Sequence, residues 1–143
     1  MRLSSLILGI IFAVAIIAVL LSVLGVSFHA PTALQGAALY NPANEITATG
    51  TVTGVEEFDC PVSEGELGVH LTLKTAEGNL QVHLAPSRIM QGQKLSFSPG
   101  DQLQVTGARV RINGTKGIIA RELTRGNETY IFRDQEGKLV MVQ

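Results

Sequence analysis

Tryptophan is missing from the 143-residue chain, and the other aromatic rings are two tyrosines and five phenylalanines. Single-stranded nucleic acid is held on aromatic platforms set in a positive groove, so a chain this poor in rings is badly equipped for that role. Cysteine is nearly absent too. Cys60 stands alone, which excludes an internal disulfide and a metal cage built on cysteines. With Glu57 and Asp59 close by, it reads as a small loop thiol without a role, because carboxylates oppose thiolate formation. A formal net charge of −1 leaves no general attraction to phosphate or to an anionic membrane surface. Enzyme signatures are missing as well. There is no Gly-x-Ser-x-Gly, no His-Glu-x-x-His and no phosphate-binding glycine loop, and Ser63, Ser87, Ser96 and Ser98 have no base predicted beside them. The chain is therefore expected to bind and not to catalyse.

One long apolar run is present. No charged residue occurs between Leu6 and Phe28, a stretch long enough to cross a bilayer core as a helix of about 20 residues. A cleaved signal peptide has a shorter apolar core ended by a small-x-small site, and the one passable triplet, Gly36-Ala37-Ala38, lies well beyond the run. Residues 1–28 are thus expected to be an uncleaved transmembrane anchor. Arg2 marks the cytoplasmic side, which puts the remainder outside the cytoplasm, on the periplasmic or extracellular side. Residues 29–44, with Pro31 and Pro42 among small residues and no period, read as a linker.

Leu67–Ala85 reads as a β-hairpin. Val69, Leu71 and Leu73 alternate with His70, Thr72 and Lys74, and after Glu77-Gly78 the alternation resumes with Leu80, Val82 and Leu84 against Gln81 and His83. With Glu77-Gly78 as the central turn residues, Leu73 is placed opposite Val82, Leu71 opposite Leu84, Thr72 opposite His83 and Lys74 opposite Gln81, and His70 lies diagonal to His83. The large apolar side chains then share one face. His70, Thr72, Lys74, Gln81 and His83 share the other, as a solvated polar surface.

Before the hairpin, Glu45–Val55 alternates threonines with small residues as a strand, and 56–66 is an acidic loop. After it, Pro86–Gly92 fits a short helix and Gly100-Asp101 opens a strand. Leu103 and Val105 have one parity there, and Ala108, Val110 and Ile112 the other, so a β-bulge near Gly107 is expected to keep both sets inside. Asn113-Gly114 is a strong two-residue turn signal leading to a strand over 116–124. Tyr130–Phe132 and Leu139–Val142 read as a further hairpin in an extension over 126–143.

This order, together with Thr49–Val55, Val82–Pro86, Gly100–Gly107 and Ile119–Leu123, resembles the small exported bacterial OB-fold domains, many of them labelled nucleic-acid-binding. The resemblance covers 45–125 and implies a five-stranded Greek-key barrel with a helix between its third and fourth strands. One N-terminal span followed by an exported OB barrel is also the layout of the haem chaperones of cytochrome c maturation. That resemblance implies a haem-attaching histidine after the barrel, where this sequence offers Tyr130 but no histidine beyond His83.

Two groups of residues are candidates for binding. His70 and His83 offer imidazoles, but diagonal strand positions lie about 7–8 Å apart and no third ligand is fixed, so no metal or cofactor is assigned to them. Arg109, Arg111 and Lys116 share a face beside the Asn113-Gly114 turn. Their repulsion is relieved either by an external anion or, as we expect, by the acidic 56–66 segment. The sequence thus favours a membrane-tethered, extracytoplasmic binding module, an accessory or assembly subunit that contacts a protein or small ligand through His70, Thr72, Lys74, Gln81, His83, Arg109, Arg111 and Lys116. A nucleic-acid or polyanion binder and a haem or metal carrier are the alternatives, nucleic acid being the disfavoured partner.

Overall fold

The structure, a computed structural model, describes residues 39–63 and 65–140. The expected membrane span and most of the 29–44 linker lie outside the described residues, and among those described no helix is long and apolar enough to cross a membrane. A 3₁₀ turn, Pro42–Asn44, capped by the Asn41 side chain, leads into six strands. These are β1 (Glu45–Asp59), β2 (Leu67–Thr75), β3 (Gly78–Pro86), β4 (Gln102–Ile112), β5 (Thr115–Arg125) and β6 (Glu128–Ile131), with a short helix α1 (Ser87–Gly92) between β3 and β4.

The sheet order is β3-β2-β1-β4-β5-β6, and a parallel pairing of β3 with β5 closes the first five strands into a barrel. This is the all-β, OB-like architecture the sequence implied. Closure follows from chain chemistry at two points. Thr53 is extra between the Val52 and Gly54 pairings, which bends the long β1 so that it serves both β2 and β4. At Gly107 a Cβ would run into the backbone of Ile119 and Ala120, so only glycine lets β4 and β5 approach there.

Leu71, Leu73, Val82, Leu84, Leu103, Val105, Ile118 and Leu123 fill the barrel, each at most 1 % exposed. Full burial of such side chains is worth about 1.5–3 kcal/mol apiece. A second, smaller cluster packs on the other face of the sheet, where Cys60 and Val62 meet Ala108 and Ile119, with Phe58, Val110 and Ile112 against them.

Several expectations are corrected. The hairpin turn is Ala76-Glu77, closed by Thr75 and Gly78, so Leu73 pairs with Leu80, Leu71 with Val82, Thr72 with Gln81 and Lys74 with Asn79. A left-handed φ of 115° at Gly78 and the Thr75 hydroxyl, donating to the Gly78 carbonyl, set this register two residues from the expected one. Because the shift is even, the faces are unchanged, but His70 now sits directly opposite His83. β1 runs on through Asp59, so the loop is shorter than expected, beginning at Cys60. The register shift at Gly107 is present, with Arg121 of β5 as the extra residue, yet the two apolar sets of β4 do not share one core. Leu103 and Val105 line the barrel, and Ala108, Val110 and Ile112 serve the outer cluster.

The Asn113-Gly114 turn forms as expected, both residues at positive φ, and pairs Arg111 with Lys116. The expected C-terminal hairpin forms in a short version, with Arg133 and Leu139 in an antiparallel bridge and Val140 N–H donating to the Phe132 carbonyl around the turn at Gln135-Glu136-Gly137. Beyond the expectation, β6 also pairs back onto β5 around Gly126-Asn127.

Candidate metal centre

His70 and His83 are the surprise of the hairpin. Each is 2 % exposed, not solvated, because Phe58 and the loop carrying Cys60 and Val62 cover that face of the sheet. Phe58 stacks on His70, ring centroids 3.7 Å apart and planes 8° from parallel, and His83 meets His70 edge-on at 4.8 Å. Three neighbouring strands fix the pair: His70 is paired with Glu56 of β1 and His83 of β3, and His83 with Ile119 of β5.

Cys60, 5 % exposed, completes the cluster from the loop. Its sulfur lies 3.1 Å from Nε2 of His70, 3.8 Å from Nδ1 of His83 and 3.2 Å from Oγ of Ser63. Successive turns hold it there, Ser63 N–H donating to the Cys60 carbonyl and Glu66 N–H to that of Ser63. Two glycines make the room. A Cβ on Gly68 would collide with Ser63 and crowd the His70 ring, and one on Gly117 would stand 3.2 Å from Nε2 of His83 and 2.8 Å from the Gln81 carbonyl.

The donor atoms of Cys60, His70 and His83 all lie within 4.8 Å of one another. A metal bound at about 2.3 Å from sulfur and 2.0–2.1 Å from nitrogen in tetrahedral or trigonal geometry separates S from N by about 3.5–3.8 Å. The 3.8 Å contact already meets that spacing, the 3.1 Å contact has to open by about half an ångström, and the imidazole nitrogens, up to 4.8 Å apart, have to draw together by about an ångström. The sulfur is on a loop, so it can yield. Both imidazoles are held neutral at ordinary pH. Burial pushes His70 down to about 4, the backbone of Gly68 opposing in part. Burial pushes His83 down to about 3, helped by charge on His70 and by Arg133. Neutral imidazoles are the form that binds metal. Nδ1 of His70 is buried beside the Gly68 backbone without a hydrogen bond of regular geometry.

The remaining predicted residues do not join this cluster. Thr72 and Gln81 are half-buried beyond it, and Lys74 is exposed toward the hairpin turn. Arg109, Arg111 and Lys116 are exposed and, with Glu77 and Asn79, line an open groove of about 930 Å³ between the two hairpin turns, away from Cys60. Among the described residues no ion pair joins them to the acidic segment, contrary to expectation. Glu66 pairs with Arg88, Glu45 and Glu122 pair with Arg121, and Asp101 and Glu128 pair with Arg125. Arg111 instead donates to the Gly114 carbonyl. Cys60 is the residue that sequence reasoning missed. Its signal was its place one residue beyond the strand that pairs with His70.

Fold and site together define a class, a small OB-like β-barrel with a buried Cys-His-His cluster between sheet and loop. Residues 44–130 match the MamS/MamX magnetosome protein family, and the chain belongs to that family. No curated protein matches it. Among solved structures it is similar to the Stn1-Ten1 complex of S. pombe (18 % identity, TM-score 0.44, covering 59 % of this chain and 59 % of that one). It is also similar to the N-terminal domain of PriB from Thermoanaerobacter tencongensis (19 %, 0.46, covering 60 % and 99 %). A third is the single-stranded DNA binding protein from Thermus aquaticus (23 %, 0.45, covering 61 % of this chain and 42 % of that one).

Proposed function

We propose that this magnetosome-family protein is a membrane-tethered, extracytoplasmic module that binds one transition-metal ion between Cys60, His70 and His83, as a carrier or accessory subunit and not as an enzyme. The observation that carries the reading is the convergence of one thiol and two neutral imidazoles in a site closed to solvent. Such donors select borderline and soft ions over calcium or magnesium. On binding, the Cys60 thiol gives its proton to solvent and the thiolate and imidazoles coordinate the ion. The apolar run over 6–28 supports the tether. A protein partner is proposed for the exposed groove bearing Arg109, Arg111 and Lys116, which make no ion pair among the described residues although Glu77 lines the same groove.

The test is metal loading of the full-length protein in mild detergent. Cu(I), Zn(II), Co(II) and Fe(II) are offered separately under reducing conditions, and the desalted protein is assayed by elemental mass spectrometry. One equivalent of at least one ion per chain is expected, lost in Cys60→Ser and in His83→Gln. Retention of none above the level of the variants refutes the reading.

A further inference from the structure

We infer that the ion this site is built for is monovalent copper. The inference rests on the metal-binding reading above and deepens it by naming the ion, from three observations.

The first is the donor set. Among the described residues the cluster contains one sulfur and two imidazole nitrogens and no carboxylate. Iron(II) and other harder ions favour sites with oxygen ligands and open positions, whereas thiolate with imidazole suits copper and zinc.

The second is charge. A thiolate with two neutral imidazoles carries −1, so a monovalent ion gives a neutral complex and a divalent ion leaves +1. The three ligands are between 2 % and 5 % exposed, and their surroundings are the Phe58 ring, Val62, Ala108 and Ile119. An unbalanced charge held in such a medium costs several kcal/mol, and the cost falls on the divalent complex alone.

The third is coordination number. Zinc at a protein site takes four ligands, and where the protein supplies three a water or substrate fills the fourth position, which a site whose ligands are 2–5 % exposed does not readily admit. Here three donors converge and the Phe58 ring is stacked flat on His70. Among the described residues Ser63 Oγ is the other side-chain polar atom at the sulfur, and it lies within hydrogen-bonding distance of it and can donate to the thiolate. Three-coordination, which Cu(I) accepts, fits what the loop and strands provide.

The experiment is a competition on the full-length protein in detergent, kept reduced and oxygen-free. One equivalent of Cu(I), delivered as its bicinchoninate complex, is mixed with Zn(II) or Fe(II) at about a hundred-fold excess, and the desalted protein is assayed for all three metals. Retention of one copper per chain with negligible zinc and iron is expected. The copper should be lost in Cys60→Ser, with His83→Gln as a second variant should the first misfold by circular dichroism. Retention of zinc or iron in place of copper overturns the inference and leaves the metal-binding reading standing. Copper retained equally by wild type and both folded variants overturns the inference, because the ion is then held elsewhere. Retention of no metal under any condition overturns both.

Discussion

Acidification should destabilise the metal-free protein well before its carboxylates explain the loss. In the unfolded chain both histidines titrate near 6.5, whereas in the folded chain burial holds His70 down to about 4 and His83 to about 3. Well above pH 6.5 both are neutral in either state and contribute nothing to the pH dependence. Below it the unfolded chain takes up protons that the folded chain refuses, so stability falls with pH until the folded values are reached. Two such groups give a slope of nearly two protons between pH 6 and pH 4, a loss of roughly 5 kcal/mol over the interval. That rivals the whole stability of a small domain, about 5–15 kcal/mol. Tryptophan being absent, far-UV circular dichroism is the probe, with guanidinium unfolding of full-length protein in mild detergent at pH 7, 6, 5 and 4. The His70→Gln/His83→Gln double variant subtracts the carboxylates. A wild-type loss no steeper than that of the variant, or imidazole NMR titrations with midpoints near 6.5, would refute the reasoning.

Other outcomes follow from the same geometry. Gly117→Ala places a methyl against the Gln81 carbonyl and the His83 ring, so it should cost about 1–3 kcal/mol as an overpacked site does, and weaken metal binding in titration. Leu71→Ala, deep in the barrel at 1 % exposure, should cost about 2–5 kcal/mol in guanidinium unfolding without changing which metal is retained. Arg111→Glu, on the exposed groove rim, should leave metal loading intact as read by elemental mass spectrometry. Retention on an anionic matrix that is steep in salt for wild type and lost in this variant would instead favour the polyanion reading.

The fold was legible where periodicity and turn chemistry were strong. Alternation in β2 and β3 assigned their apolar faces, and Asn113-Gly114 set the β4–β5 pairing down to Arg111 opposite Lys116. The site was only half legible, for two physical reasons. Register in a hairpin depends on which residues close the turn. Thr75 and Gly78 do so, whereas the sequence pattern alone points to Glu77-Gly78 as the turn, and this brings His70 from diagonal to directly opposite His83. Burial of a nominally polar strand face depends on what a distant segment lays over it. His70 and His83 looked solvated because alternation cannot reveal that Phe58, Cys60 and Val62 fold back across them. The acidic neighbours made Cys60 look inert, yet Glu56, Glu57 and Asp59 remain exposed while the thiol turns inward. The same limit hid the second cluster. By parity alone Ala108, Val110 and Ile112 need a bulge to reach the core, and they pack instead under that loop.

The central claim is that a single ion sits between one sulfur and two imidazole nitrogens. X-ray absorption at the edge of whichever metal the full-length protein retains measures this directly. The account predicts one sulfur at about 2.2–2.3 Å and two nitrogens near 2.0 Å, the sulfur vanishing in Cys60→Ser. A first shell of nitrogen and oxygen alone, unchanged by that substitution, would contradict it.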